Sequence, residues 1–240
     1  ASLGYFEEKV LLIDFDPQGN ATTGSGIDKQ EVEWSGVDVL LGDVSLVEAI
    51  QEMDGSGYDL LAANGDLTAA EVELFNVEDR LHRLTSILET ADKKYSYILI
   101  DCPPTLNILT LNAFVAADGV IVPLQCEYYA LEGLTSLMDT MDRVRETQNP
   151  ALQLQGIVRT MYDSRNNLAV EVSEQLLSHF GERVYETVVP RNVKLAEAPS
   201  YGRPIIYYAP SSRGAYAYVD LAAEILERAE KEKRDEGNAL

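Results

Sequence analysis

The sequence predicts a doubly wound, mostly parallel α/β sheet flanked by helices, and three observations carry that prediction. Short apolar runs of strand length alternate with segments of helical spacing along all 240 residues. Two of these runs, Val10 to Ile13 and Tyr97 to Ile100, each stop at an aspartate, Asp14 and Asp101, and a proline-containing turn follows. Neither run alternates apolar with polar residues, so each reads as a strand covered on both faces. Ligands of such sheets bind at the carboxyl ends of the strands, which makes the two acids the first candidates for chemistry.

The elements follow in order. Ala1 to Phe6 reads as the end of a helix running into a turn, and the first strand starts directly after it. Ala21 to Trp34, rich in Thr, Gly and Ser, reads as a surface connection. Val37 to Met53 has helical apolar spacing interrupted at Gly42-Asp43, and Tyr58 to Asn64 a short strand. From Leu67 to Ala91 the apolar positions Leu74, Val77, Leu81, Leu84, Ile87 and Leu88 recur at three- and four-residue steps, an amphipathic helix that feeds the second acid-tipped strand. Leu106 to Ala117 reads as a helix, Gly119 to Leu124 as an apolar strand ended by its proline, and Glu132 to Thr147 as a helix stopped by Asn149-Pro150. Leu154 to Thr160 and Val184 to Val189 read as strands separated by a helix over Leu168 to Phe180. The last helix runs from Tyr216 to about Lys233 and gives way to a charged, disordered tail over about 231–240. No linker or repeat divides the chain, so residues 1–240 form one domain.

Composition narrows the function. A hydrophobic content of 46% supplies a sizeable core, while 40 acidic against 19 basic side chains leave a net charge of -21. That balance opposes casual adhesion to polyanions, so contact with nucleic acid requires a focused basic patch. Cys102 and Cys126 form no Cys-x-x-Cys pair, which argues for reduced thiols in the cytoplasm and against zinc or iron–sulfur sites. No run of about 18 apolar residues and no signal peptide is present.

Magnesium takes oxygen ligands and reaches proteins through one or two carboxylates, a role that suits Asp101. Phosphoryl transfer also needs a group to orient the attacking water, and Asp14 or Asp16, one strand away, could supply it.

Four ordered motifs carry a resemblance that spans nearly the whole chain: Val-Leu-Leu-Ile-Asp-Phe-Asp-Pro-Gln-Gly-Asn-Ala-Thr at 10–22, Tyr-Ile-Leu-Ile-Asp-Cys-Pro-Pro at 97–104, Pro-Leu-Gln-Cys-Glu-Tyr-Tyr-Ala-Leu-Glu-Gly at 123–133, and Val-Pro-Arg-Asn-Val-Lys-Leu-Ala-Glu-Ala-Pro-Ser-Tyr-Gly at 189–202. They closely resemble the ParA/Soj family of partition ATPases, within the ParA/MinD-like P-loop NTPases. The resemblance implies an enzyme that hydrolyses ATP with Mg, forms a homodimer in the ATP state, binds DNA non-specifically, and works with a ParB/Spo0J-type centromere-binding protein in chromosome or plasmid partitioning. It implies a cytoplasmic, nucleoid-associated protein.

Residue by residue, it implies that Asp16 helps place the attacking water, with Asp14 beside it near phosphate and metal. Asp101 matches the acid that holds magnesium through water, and Pro190 and Asn192 match the loop that contacts adenine. Arg191, Lys194, Arg203 and Arg213 fall where similar proteins contact DNA. His82 and His179 read as surface residues on helices. The family's glycine-rich phosphate loop and its strand are not found in these residues; Gly24-Ser25-Gly26 lacks the following Gly-Lys-Thr or Gly-Lys-Ser. The chain thus reads as a fragment of a complete ATPase, with the first strand expected between the acid-tipped strands or next to them. MinD-like positioning ATPases are the nearest rivals, but the basic amphipathic C-terminus they need for membrane binding is not seen here. Iron–sulfur carriers need cysteines that this chain does not have. From another class, a non-catalytic interaction module would keep the fold and its partner surface without the loop.

Overall fold

The computed structural model describes residues 1–90 and 95–237. Two ladders make up the sheet structure. In the first, β1 (Val10–Asp14) lies between β3 (Tyr58–Leu61) and β4 (Tyr97–Asp101), parallel to both, and β2 (Ile50–Met53) adds antiparallel to β3. In the second, β5 (Gly119–Gln125), β6 (Gln153–Tyr162) and β7 (Val184–Pro190) run parallel. The predicted fold class therefore holds, with one antiparallel strand at an edge.

Helices cover these ladders. They are α1 (Ser2–Tyr5), α2 (Asn20–Gly24), α3 (Gly36–Leu41), α4 (Leu46–Ala49), α5 (Leu67–Glu73), α6 (Arg83–Thr90), α7 (Ile108–Ala116), α8 (Ala130–Thr147), α9 (Asn167–Phe180), α10 (Val193–Glu197), α11 (Ile205–Tyr208) and α12 (Arg213–Gly237). Leu11, Ile13 and Phe15 pack with Leu40, Leu61, Leu67, Leu74 and Leu84 in one core, and Met141, Leu152, Ile157 and Leu176 anchor a second around β5 and β6. Each such side chain contributes about 1.5–3 kcal/mol by leaving water.

Several elements depart from their sequence readings, each for a local reason. The helical spacing of Val37 to Met53 ends at Ala49, because Ile50 turns extended and pairs with Leu61. Glycines at positive φ, Gly55 and Gly57, then close the hairpin into β3. The stretch from Leu67 is not one helix. A 3-10 turn at Leu74–Asn76 and a left-handed Asp79 break it, which lets both Leu74 and Leu84 reach the same core; Ala91 lies outside the described residues. Pro123 does not end β5, which continues to Gln125; as the edge strand of its ladder β5 tolerates a residue without N–H. The final helix starts at Arg213 and continues to Gly237, so 231–237, expected in a disordered tail, are helical, and 238–240 lie outside the described residues.

The acid-tipped strands pair residue for residue from Val10↔Tyr97 to Asp14↔Asp101, so no strand lies between them. The open edge is the other side of β4. There Ile98 and Leu99 are 36% and 40% exposed, unusual for an apolar strand. Leu99 lines a cavity of about 410 Å³ together with Leu221 and Ile225 of α12, and Ile121 of β5 packs against the core cluster that contains Leu221. The edges of β4 and β5 thus share one helical floor without hydrogen-bonding each other.

Candidate active site

Asp14 and Asp101 stand side by side at the carboxyl end of the first ladder, as register partners on adjacent parallel strands. Their surroundings differ. The Asp14 side chain is fully buried, and it accepts three hydrogen bonds: from the Thr22 amide and the Thr22 hydroxyl, both at 2.7 Å, and from the Asp16 amide at 3.2 Å. Burial raises its pKa, while the bonds from Thr22 and Asp16 work against that rise. Asp101 gains no side-chain hydrogen bond or ion pair among the described residues, and its main-chain oxygen accepts from the Phe15 amide at 2.8 Å. Its carboxyl is pushed up to about 6 by desolvation and by the charges of Asp14 and Asp16. The same surroundings push the Cys102 thiol up to about 12, burial first and then the charges of Asp101 and Asp16, so it stays protonated and is no nucleophile.

Asp16 sits in the turn that joins β1 to α2. Its Oδ1 accepts from the Gln18 amide at 2.8 Å, and its carbonyl accepts from Gly19 at 2.8 Å. Gly19, left-handed at φ 60, opens α2. A β-carbon there would crowd the Ala63 carbonyl at 3.1 Å, so this bend needs glycine twice over. Thr22, in the helix that follows, closes the loop: its hydroxyl donates to Asp14 and accepts from the Ala63 amide at 2.8 Å, just past β3. The sequence reading placed Thr22 at the end of a motif without giving it a role. The visible signal was an alcohol eight residues after a buried acid, and only the fold shows that the two meet.

The other predicted residues lie at the end of β7 and beyond it. Pro190 ends the strand, and the Arg191 amide donates to the Tyr162 carbonyl at 3.1 Å. Asn192 caps α10, its Oδ1 accepting from the Lys194 amide at 2.8 Å, which leaves its NH₂ group available to a ligand. Lys194 pairs with Glu197 at 2.7 Å, and that hydrogen bond raises its pKa. Arg203 is exposed at the rim of the cavity beside Leu99. Arg213 shares a separate cleft of about 350 Å³ with Pro190, Tyr216 and Asp220. Asp163, which sequence reasoning passed over, is bound by Arg165 and held down to about 2 by that hydrogen bond, with the charge of Arg191 adding to it. The four basic candidates therefore lie in one part of the chain, with Arg203 and Arg213 lining separate cavities, and acids neighbour three of them, Glu197 by Lys194, Asp220 by Arg213 and Asp163 by Arg191.

Main chain joins the two groups. Gly24 of α2 approaches the Pro199 side chain, and Gly26 lies against Gly202, both at positive φ. A β-carbon on Gly202 would fall inside van der Waals contact of the Gly26 backbone. The end of the helix that follows the acid loop and the turn around Pro199 and Gly202 are thereby in direct contact.

The donor set suits a hard divalent cation. Asp101 offers a carboxylate without a protein partner among the described residues, Asp16 lies in the adjoining turn, and no soft thiolate competes. No group of three or more His, Cys, Asp or Glu ligands forms among the described residues, so a cation here would keep water or ligand oxygens in its remaining positions. Among the described residues no helix is long and apolar enough to cross a membrane.

Comparison with known proteins identifies the family. Residues 1–154 match the AAA domain family. The chromosome partitioning protein ParA of Caulobacter vibrioides is 49% identical over 223 residues, covering 92% of this chain and 84% of that protein. The sporulation initiation inhibitor protein Soj of Bacillus subtilis is 47% identical over 225 residues, covering 94% and 89%. Among solved structures, cobyrinic acid a,c-diamide synthase of Mycobacterium smegmatis with bound ADP and magnesium superposes with a TM-score of 0.82 at 35% identity, covering 95% of this chain and 87% of that one. Family match and sequence identity agree, and the chain belongs to the ParA/Soj family of chromosome-partitioning ATPases.

Proposed function

We propose that the protein hydrolyses ATP with magnesium and uses the cycle to move DNA. The observation that carries this reading is the carboxylate group Asp14, Asp16 and Asp101 at one sheet edge, with Asp101 left unpartnered among the described residues. Magnesium, when bound, neutralises phosphate charge and orders the leaving group. Asp101 would hold it through water, which would also return that carboxyl to its ionised form. Asp16 would orient the attacking water, and Asp14 would hold the loop that carries Asp16. The free NH₂ of Asn192 would donate to an acceptor on the adenine edge, with Pro190 fixing the turn before it.

The relatives' partitioning role, together with higher identity to them than to the diamide synthase, favours DNA as the cargo. The ATP state would be a homodimer that binds DNA without sequence preference, and a ParB/Spo0J-type centromere-binding protein would stimulate turnover in the cytoplasm at the nucleoid. With a net charge of -21, DNA binding depends on local cations such as Arg191, Lys194, Arg203 and Arg213, and it falls steeply with salt.

The test uses the natural full-length polypeptide carrying Asp16→Ala. With ATP and magnesium it should dimerise and bind DNA while turnover drops at least about a hundredfold. In the same background Arg213→Glu should weaken DNA binding and leave the dimer intact. Wild-type turnover in Asp16→Ala would refute the role of Asp16, and absence of magnesium-dependent ATP binding in the unaltered protein would refute the enzyme reading.

A further inference from the structure

We infer that Thr22 is a positioning residue whose hydroxyl clasps the loop carrying Asp16, so that turnover depends on a hydrogen bond between the tips of β1 and β3. This rests on the ATP-hydrolysis reading given above.

Thr22 is fully buried, and its hydroxyl is used in both directions, as donor to Asp14 Oδ2 at 2.7 Å and as acceptor from the Ala63 amide at 2.8 Å. A hydroxyl can do both at once; an amide proton or a methyl cannot. The Thr22 amide adds a second bond to the same carboxylate oxygen, and the other oxygen takes the Asp16 amide. Both oxygens of Asp14 are therefore engaged by the chain's own donors. That leaves Asp14 poorly placed to ligate a cation or accept a proton from water, and makes it the anchor of the loop.

The span from Asp14 to Thr22 holds Asp16, Pro17 and the left-handed Gly19, and the clasp ties its two ends together. Little else fixes Asp16 itself. Its side chain is only half-buried and bonds to Gln18 within the turn. Misplacing a water-orienting carboxylate by about 1 Å is enough to cost about a hundredfold in rate, so a clasp of this kind acts on the chemical step more than on nucleotide affinity.

Thr22→Val keeps the shape of the side chain and removes the hydroxyl, while Thr22→Ser keeps the hydroxyl. In the full-length protein Thr22→Val should lower kcat by about tenfold to a hundredfold with KM for ATP within about twofold, and Thr22→Ser should restore kcat to within about threefold. Amide hydrogen exchange reads the clasp without ATP: Asp16 and Ala63 should exchange at least about tenfold faster in Thr22→Val than in Thr22→Ser. A residue that only supported the fold would lower the melting temperature and leave kcat per folded molecule unchanged. The inference fails if Thr22→Val keeps wild-type kcat, if Thr22→Ser does not rescue it, or if the two amides exchange alike in both variants. Should the unaltered protein show no ATP hydrolysis, the enzyme reading falls, and the exchange data alone decide whether the clasp exists.

Discussion

β1 and β4 are built to one plan, five residues of apolar strand ending in aspartate, and they lie in register, yet they behave as opposites. β1 is enclosed: Val10, Leu11 and Ile13 are buried, and Asp14 is buried with three donors. β4 is open: Ile98 and Leu99 face outward, and Asp101 has no side-chain partner among the described residues. An aspartate at a strand end is thus two different devices depending on its neighbours. With strands on both sides and a hydroxyl nearby it is a structural anchor; at an unpaired edge it is a free ligand.

The strongest way to break this comparison is to shorten side chains on the two strands. Leu11→Ala should cost about 3 kcal/mol in chemical denaturation, as for other fully buried leucines, whereas Leu99→Ala should cost under about 1 kcal/mol. Equal losses would mean that something covers β4 in solution. Next in size are the acids. Asp14→Ala leaves the Thr22 and Asp16 donors unsatisfied and should cost about 2 kcal/mol, while Asp101→Ala should cost no more than about 0.5 kcal/mol. A larger loss at Asp101 would reverse the assignment of anchor and ligand.

The smallest effect is pH dependence. The Asp101 carboxyl is raised from its ordinary 3.8 to about 6, so within that window the folded protein holds more protons than the unfolded chain. Stability should therefore fall as pH rises through the window, and because the side chain is open to solvent the slope is modest. Asp101→Asn should flatten the urea midpoint between those pH values. An unchanged slope would move the titration to Asp14, whose pKa is also raised.

Much of this was legible in the residues. The apolar runs that stop at Asp14 and Asp101 marked two strands and their acids, but both read as covered on each side, which holds for β1 and not for β4, an edge strand with Ile98 and Leu99 exposed. Asn192 was singled out only through the family resemblance, and its capping of α10 was not read from the residues. What stayed hidden depends on contacts distant in sequence. Helical spacing at Ile50 yielded to pairing with Leu61, and the helix from Leu67 broke so that Leu74 and Leu84 could share one core. Thr22 carries no local signal of its own. Its partners, Asp14 and Ala63, are fixed only once β1 and β3 lie side by side. The pairing of Lys194 with Glu197 likewise could not be told from spacing alone, which counts a charge but not its partner's rotamer.

The contact of Gly26 with Gly202 has a consequence for how the gene tolerates variation. Each glycine is held both by its left-handed backbone and by the atoms of the other, so neither position has a smaller residue to fall back on and neither can rescue a change in its partner. A saturation library should show two sites far apart in sequence where every substitution is depleted and no double variant recovers, an epistatic pair without compensation. Since one site follows the acid loop and the other follows Asn192, this pair would be the mutational imprint of two loops that cannot drift apart.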